Sequence, residues 1–385
     1  MNKRAFGIGV SAMVALTSSC AKTPAAVEAA SSSSTSQAII NGAACGPEVE
    51  PTAVAVMVDA SISFPSQGGG SQTFDIVAPM CTGTLIAPDV VLLAAHCVDL
   101  DLLTYGFGTV ERGDFYVTFE ADLSRYSVET EEPLPLPESA VPVRSFVAHP
   151  EFDINALGAN GTVGVEHDIA LLFLEVPITT VQPEVVVTAA EAAQLSVGDA
   201  VSIAGWGQRG SAQNAPAGIK QCGATTLDEL GESLMQVGND AASIRKCHGD
   251  SGGPTYIEVE TSSTIKRRVI GVTSRAYDES DCARGGVDTR VDYYLPFIEE
   301  QMSSRCATDE RVWCDVDGII PASFYETPAG EGEGEGEPGE GEGEGEDEGP
   351  GDGDDDEDAP GCSGVPAGST FAFAAVLLAL RRRRR

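Results

Sequence analysis

The chain has 385 residues and a formal charge of −36 at pH 7. Sixteen of its acidic residues, with no Lys or Arg among them, lie between Gly330 and Pro360, and the remainder is still acidic. Such a surface repels a phosphate backbone, which argues against a nucleic-acid partner. Ten cysteines behind an N-terminal export pattern point to an oxidising compartment.

Residues 1–20 read as a signal peptide. Lys3 and Arg4 give it a positive start, and Phe6 to Leu16 is an apolar run too short to span a membrane. The run ends Leu16-Thr17-Ser18-Ser19-Cys20, which resembles a bacterial lipoprotein box with its leucine one place too far from the cysteine. Lipidation of Cys20 and ordinary cleavage nearby both stay open. Residues 21–38 are Ala/Ser/Thr-rich without an apolar period and read as a propeptide or disordered spacer.

From Ile39 to Met302 the chain consists of short β-branched and aromatic runs broken by Gly, Pro and Asp. Thr52–Val58, Phe115–Phe119, Ile169–Leu174, Ala200–Ala204 and Arg268–Thr273 are examples. Runs of this length predict an all-β barrel or sandwich. One helix is expected from Val291 to Met302, burying Leu295, Phe297, Ile298 and Met302, with Pro296 in its first turn.

Residues 303–326 hold Cys306 and Cys314, spaced for a local disulfide. No neighbouring ligand completes a metal site there, so no metal or other cofactor is expected. The acids between Asp99 and Asp122 show no calcium-ligand spacing. Residues 327–361 form a Glu/Gly/Asp-rich tract expected to be a disordered, solvated linker. Residues 362–385 start at Cys362, continue through an apolar stretch from Phe371 to Leu380 and end in five arginines. The arginines would stay on the cytoplasmic side of a membrane.

The stretch Cys247-His248-Gly249-Asp250-Ser251-Gly252-Gly253-Pro254 carries the candidate chemistry. Its glycines leave the Ser251 hydroxyl uncrowded and allow backbone amides to converge, as a tetrahedral oxyanion requires. A serine nucleophile also needs a base that is itself oriented by a carboxylate. His96 ends the apolar run Leu92-Leu93-Ala94-Ala95 and precedes Cys97; a satisfied core histidine is the alternative reading. Asp168 starts the apolar run Ile169-Ala170-Leu171-Leu172 and needs a partner there; a surface strand cap is the alternative.

Six matches together resemble the trypsin-like, chymotrypsin-fold serine endopeptidases of family S1. They are Ile39-Ile40-Asn41-Gly42, Ala94-Ala95-His96-Cys97, Asp168-Ile169-Ala170-Leu171-Leu172, Gly205-Trp206-Gly207, Gly249-Asp250-Ser251-Gly252-Gly253-Pro254 and Gly286-Val287-Asp288-Thr289-Arg290-Val291. The resemblance covers roughly Ile39 to Met302. It implies two six-stranded antiparallel β-barrels with a C-terminal helix, followed here by the linker and a short hydrophobic tail.

It also implies roles. Ser251 attacks, His96 moves the proton, Asp168 orients the imidazole, and the Gly249 and Ser251 amides form the oxyanion hole. The implied disulfides are Cys45–Cys222, Cys81–Cys97 and Cys247–Cys282, which leave Cys306–Cys314 as a local pair and Cys20 and Cys362 at processing sites. The Ile39 ammonium, freed by cleavage after Ala38, is expected to pair with Asp250. Ala38 stands where the family usually has Arg or Lys, so a different maturation protease is expected.

Arg245 falls where trypsins place the pocket-floor aspartate, followed by Lys246, while Ala276 and Gly286 fall at wall positions. Arg275, beside Ser274, stands on the strand expected to pair with substrate. A basic floor favours an acidic P1 side chain; Arg245 turning to solvent is the other reading. The tail resembles myxobacterial C-terminal sorting signals, which implies processing near Cys362 by a sorting protease and surface or membrane attachment. A plain tail-anchor helix is the alternative. The expectation is thus an exported monomeric endopeptidase, on the cell surface or outer membrane or extracellular, acting on polypeptides. A catalytically silent homologue serving as a binding module and an adhesin-like surface protein are the rival readings.

Overall fold

The computed structural model describes residues 39–314 except 67–68, 105, 128–131, 158–162, 211–214, 261–264 and 278–281. The signal segment, spacer, acidic linker and tail, with Cys20 and Cys362, lie outside the described residues. No helix among the described residues is long and apolar enough to cross a membrane.

Two closed, six-stranded antiparallel barrels make up the fold. A short strand β1 (Ala43–Ala44) is followed by the first barrel: β2 (Ala53–Pro65), β3 (Ser71–Ala87), β4 (Val90–Leu93), β5 (Thr109–Thr118), β6 (Val141–Ala148) and β7 (Ala170–Leu174). The order β2-β3-β4-β7-β6-β5 closes because β2 pairs with both β3 and β5. The strands are β-branched or leucine-rich on both buried sides: Val54, Val56, Val58, Leu92, Leu93, Leu171 and Phe173 have no exposed surface. Closure leaves the barrel without an unpaired edge.

The second barrel comprises β8 (Ala200–Gly205), β9 (Gln221–Leu230), β10 (Leu234–Val237), β11 (Pro254–Glu260), β12 (Ile265–Ala276) and β13 (Gly286–Arg290). Its order is β9-β10-β13-β12-β11-β8, closed by β8 on β9, and β1 adds to β9 through Ala43↔Cys222. A one-turn helix α1 (Ala189–Ala192) precedes it, fixed by a Thr188/Glu191 capping box.

The C-terminal helix differs from the sequence expectation at both ends. Asp292–Tyr294 form a 3₁₀ turn, and α2 runs from Leu295 to Ala307, with Pro296 in its first turn where the missing N–H costs nothing. It outruns Met302 because its last turn finds partners: the Arg305 guanidinium lies 4.5 Å from the Phe173 ring centre, and Cys306 is disulfide-bonded to Cys314. Beyond the helix, Arg311 turns back to Asp89, in the β3–β4 turn. Asp89 accepts from Arg311 Nη2 (2.8 Å) and from the Val312 and Trp313 amides (3.0 and 2.9 Å). Both side chains are 1% exposed, so this ion pair is sealed from water.

Candidate active site

His96 stands on a 3₁₀ turn, Ala95–Val98, directly after β4. The Cys81–Cys97 disulfide ties that turn to β3. Asp168 enters β7, and β4 and β7 pair with Leu93 opposite Ala170, so the two strands bring His96 and Asp168 to the same end of the barrel. The carboxylate is fully buried and accepts from three donors. His96 Nδ1 reaches Oδ2 at 2.8 Å, the His96 backbone N–H reaches Oδ1 at 2.9 Å, and the Ser274 hydroxyl donates to Oδ2 at 2.6 Å. Thr289 donates to the Asp168 carbonyl at 2.9 Å. A buried carboxylate with these donors holds one imidazole orientation, and a surface strand cap does not describe Asp168.

Ser251 comes from the second barrel, in the turn before β11. Its carbonyl accepts the Thr82 N–H from β3 at 2.8 Å. The next residue, Gly252 (φ +78°), lies against the segment leading to His96: a Cβ there would be 2.3 Å from the Thr82 carbonyl and 3.0 Å from Leu93 Cβ. Glycine is what allows the two barrels to meet this closely. Gly249 has φ +91° and stacks on Gly207. Among the described residues neither the Gly249 nor the Ser251 N–H has an intramolecular acceptor.

Asp250 points away from Ser251, into the protein. It is fully buried and accepts the Gly207 and Cys247 amides at 2.9 and 3.0 Å, and the Ile39 N–H as well. Burial pushes its pKa up to about 7, against the pull of those donors and of Lys246. Ile39 is fully buried with φ +44°, a conformation that a β-branched residue adopts only under strain.

The cationic residues expected at or beside the substrate pocket, Arg245, Lys246 and Arg275, are all engaged. Arg245 is buried; its guanidinium donates to the Cys282 carbonyl (2.7 Å) and the Ala241 carbonyl (2.8 Å), so it neither turns to solvent nor stands as an open cation. Lys246 is buried with its Nζ 2.6 Å from Asp288 Oδ2 and 2.6 Å from Thr255 Oγ1. Its stem crosses the space beside Gly286, where a Cβ would meet Lys246 Cβ at 3.1 Å. Arg275 forks onto Glu166, with Nη2–Oε1 2.8 Å and Nε–Oε2 2.9 Å, both side chains nearly buried. Ala276 packs on Ile40 and the Cys247–Cys282 disulfide. The Cys45–Cys222 disulfide fastens β1 to β9.

Several positioning residues escaped the sequence reading. Thr82 bridges the barrels, its hydroxyl accepting from Trp206 N–H (3.3 Å) and donating to the Gly249 carbonyl (3.3 Å). Gly205 and Gly207 make room for Asp250: a Cβ on either would come within 3 Å of its side chain. The Gly205-Trp206-Gly207 stretch was recognised in the sequence as a match, but not the room it makes for Asp250. Glu166 had no local signal, because its partner lies 109 residues away.

A family model described as Trypsin matches residues 46–298. The chain is 28% identical to human serine protease 56 over 240 residues, which are 59% of this chain and 35% of that protein. It is 26% identical to dog chymotrypsin-like elastase family member 1 over 238 residues, 58% of this chain and 81% of the relative. It is 28% identical to a mouse tryptase over 242 residues, 57% and 77% of the two chains. The match thus spans about a third of the length of the serine protease 56 proteins.

Proposed function

Because the chain belongs to the trypsin family, we propose that it is a serine endopeptidase that cleaves polypeptides through an acyl-enzyme on Ser251. The carrying observation is the fixed pair of His96 and Asp168, with Nδ1 held at 2.8 Å by a carboxylate that two further donors lock in place. That geometry presents Nε2 as the base. His96 takes the Ser251 proton as the hydroxyl attacks the scissile carbonyl and returns it to the leaving amine, and Asp168 stabilises the imidazolium between. The unshared Gly249 and Ser251 amides receive the oxyanion, each contributing about 3 kcal/mol to the transition state.

Maturation after Ala38 completes the site. With the Ala38–Ile39 bond intact, Ile39 donates its N–H to Asp250 while holding a strained φ of +44°. Cleavage removes that torsion and converts an amide donor into an ammonium. A protease favouring small residues performs the cut. The export signal and tail read from the sequence put the monomeric product outside the cell or on its surface or outer membrane, with Cys20 or Cys362 as attachment points and a sorting protease acting near Cys362.

The acidic P1 preference suggested by Arg245 and Lys246 is weakened by their engagement. Lys246 is neutralised by Asp288, Arg275 by Glu166, and the Arg245 guanidinium is turned onto backbone carbonyls. With the Lys246 stem lying across Gly286, a small uncharged P1 side chain fits better. A fluorophosphonate probe tests the activity. Protein matured at Ile39 is expected to label on Ser251 and its Ser251→Ala form not to. No labelling of the matured chain would instead support the silent binding homologue. Cleavage of a peptide library by the same protein separates acidic from small P1.

A further inference from the structure

We propose that His149, Glu151 and His167 form a zinc-binding site on the strand ends that hold Asp168. One ligating atom from each of the three lies within 4.8 Å of the other two. The two imidazoles stack with ring centres 4.8 Å apart and planes 11° from parallel. His167 Nε2 is 3.7 Å from Glu151 Oε2. Two imidazole nitrogens and one carboxylate oxygen are a donor set that Zn²⁺ takes in tetrahedral geometry, with a fourth position open to water.

The surroundings fit that use. The Tyr294 hydroxyl sits 3.2 Å from His167 Nδ1 and fixes the ring with Nε2 toward Glu151. A hydrogen bond on the far nitrogen is how metal-bound imidazoles are oriented. Phe297 packs on the other ring, its centre 4.9 Å from that of His149. The Glu151 side chain is 71% exposed, so it can close on an ion at little cost. Zinc bonds of about 2.0–2.1 Å need ligand atoms roughly 3.3 Å apart. A turn of one imidazole out of the stack and a swing of Glu151 supply that contraction. Among the described residues the other two groups of close ligating atoms, around His96 and His248, consist otherwise of cysteines already joined in disulfides.

The position gives the site a consequence. His149 follows β6 and its N–H donates to the Ile169 carbonyl at 2.9 Å; the Ile169 N–H donates to the His167 carbonyl at 2.9 Å. These bonds bracket Asp168. An ion bridging His149 and His167 would staple the β6 and β7 ends to each other one residue from the carboxylate that orients His96. This staple is separate from the bond-breaking machinery and does not depend on the chain being an active protease.

The test is zinc titration of the full chain carrying Ser251→Ala, by calorimetry and by melting temperature, with Co²⁺ as a spectroscopic substitute. The expected result is one equivalent of zinc bound by the 149/151/167 cluster, a melting temperature that rises with zinc concentration, and the visible bands of four-coordinate cobalt. His149→Ala and His167→Asn should each weaken binding by more than about tenfold; asparagine is chosen because His167 has φ +52°. Glu151→Gln, at an exposed position that leaves folding intact, should lose the four-coordinate spectrum. Zinc binding that all three substitutions leave unchanged, or no binding, would overturn the proposal.

Discussion

The Ser274 hydroxyl donates at 2.6 Å to the same Asp168 oxygen that accepts the His96 ring at 2.8 Å. Ser274 lies on β12 of the second barrel, whereas Asp168 and His96 belong to the first. The barrels are therefore joined at the oxygen that sets the imidazole. Ser274→Ala removes one hydrogen bond to a charged group, worth about 1.5 kcal/mol or more. The expected outcome is a kcat roughly tenfold lower with KM little changed, read from steady-state kinetics of matured protein. Asp168→Asn should cost about 10⁴ in kcat.

Asp250 predicts a pH dependence. Its pKa in the folded chain is raised to about 7 from an ordinary value of 3.8, chiefly by burial. Between those values the native state holds a proton that the unfolded state releases, so stability falls as pH rises from about 4 to 7, with a limiting slope of ~1.4 kcal/mol per pH unit. Asp250→Asn should flatten this slope in a Ser251→Ala chain blocked from cleavage at Ile39. Cleavage should flatten it too, because the new ammonium favours the carboxylate. Urea unfolding midpoints from pH 4 to 8 measure both effects.

Lys246 and Asp288 form a fully buried pair, and Asp288 Oδ1 has no hydrogen-bond partner among the described residues. Lys246→Met alone leaves Asp288 charged and sealed in, a loss of about 3–5 kcal/mol. The double substitution Lys246→Met with Asp288→Asn should recover most of that loss. A double-mutant cycle of urea unfolding free energies shows the coupling directly.

Arg311 should behave likewise. Its Asp89 partner is 1% exposed and also caps two backbone amides. Arg311→Ala strands that carboxylate, and about 3–5 kcal/mol of stability should be lost. The Val312 and Trp313 amides should then exchange hydrogen for deuterium faster than β4 does.

Much of the architecture was legible because barrels write themselves in local sequence. The runs around Val54–Val58, Leu92–Leu93 and Leu171–Phe173 are apolar because both sides of those strands are buried. The His96, Asp168 and Ser251 motifs were read through their family resemblance rather than from local pattern, and the structure brings His96 Nδ1 within 2.8 Å of Asp168. What remained hidden depends on long-range pairing. Nothing near Lys246 announces Asp288, 42 residues on, and nothing near Arg275 announces Glu166. Read locally, both cations look available; in the fold each meets an anion. The helix end failed for the same reason. Its apolar period stops at Met302, but Arg305 finds the Phe173 ring across the molecule.

The Asp89–Arg311 pair also fixes a direction. Asp89 and His96 flank opposite ends of β4, and the four residues of that strand separate those ends by about 13 Å at a rise of ~3.4 Å per residue. The last described residues, Trp313 and Cys314, are therefore held at the end of β4 away from His96, through the Trp313 N–H on Asp89.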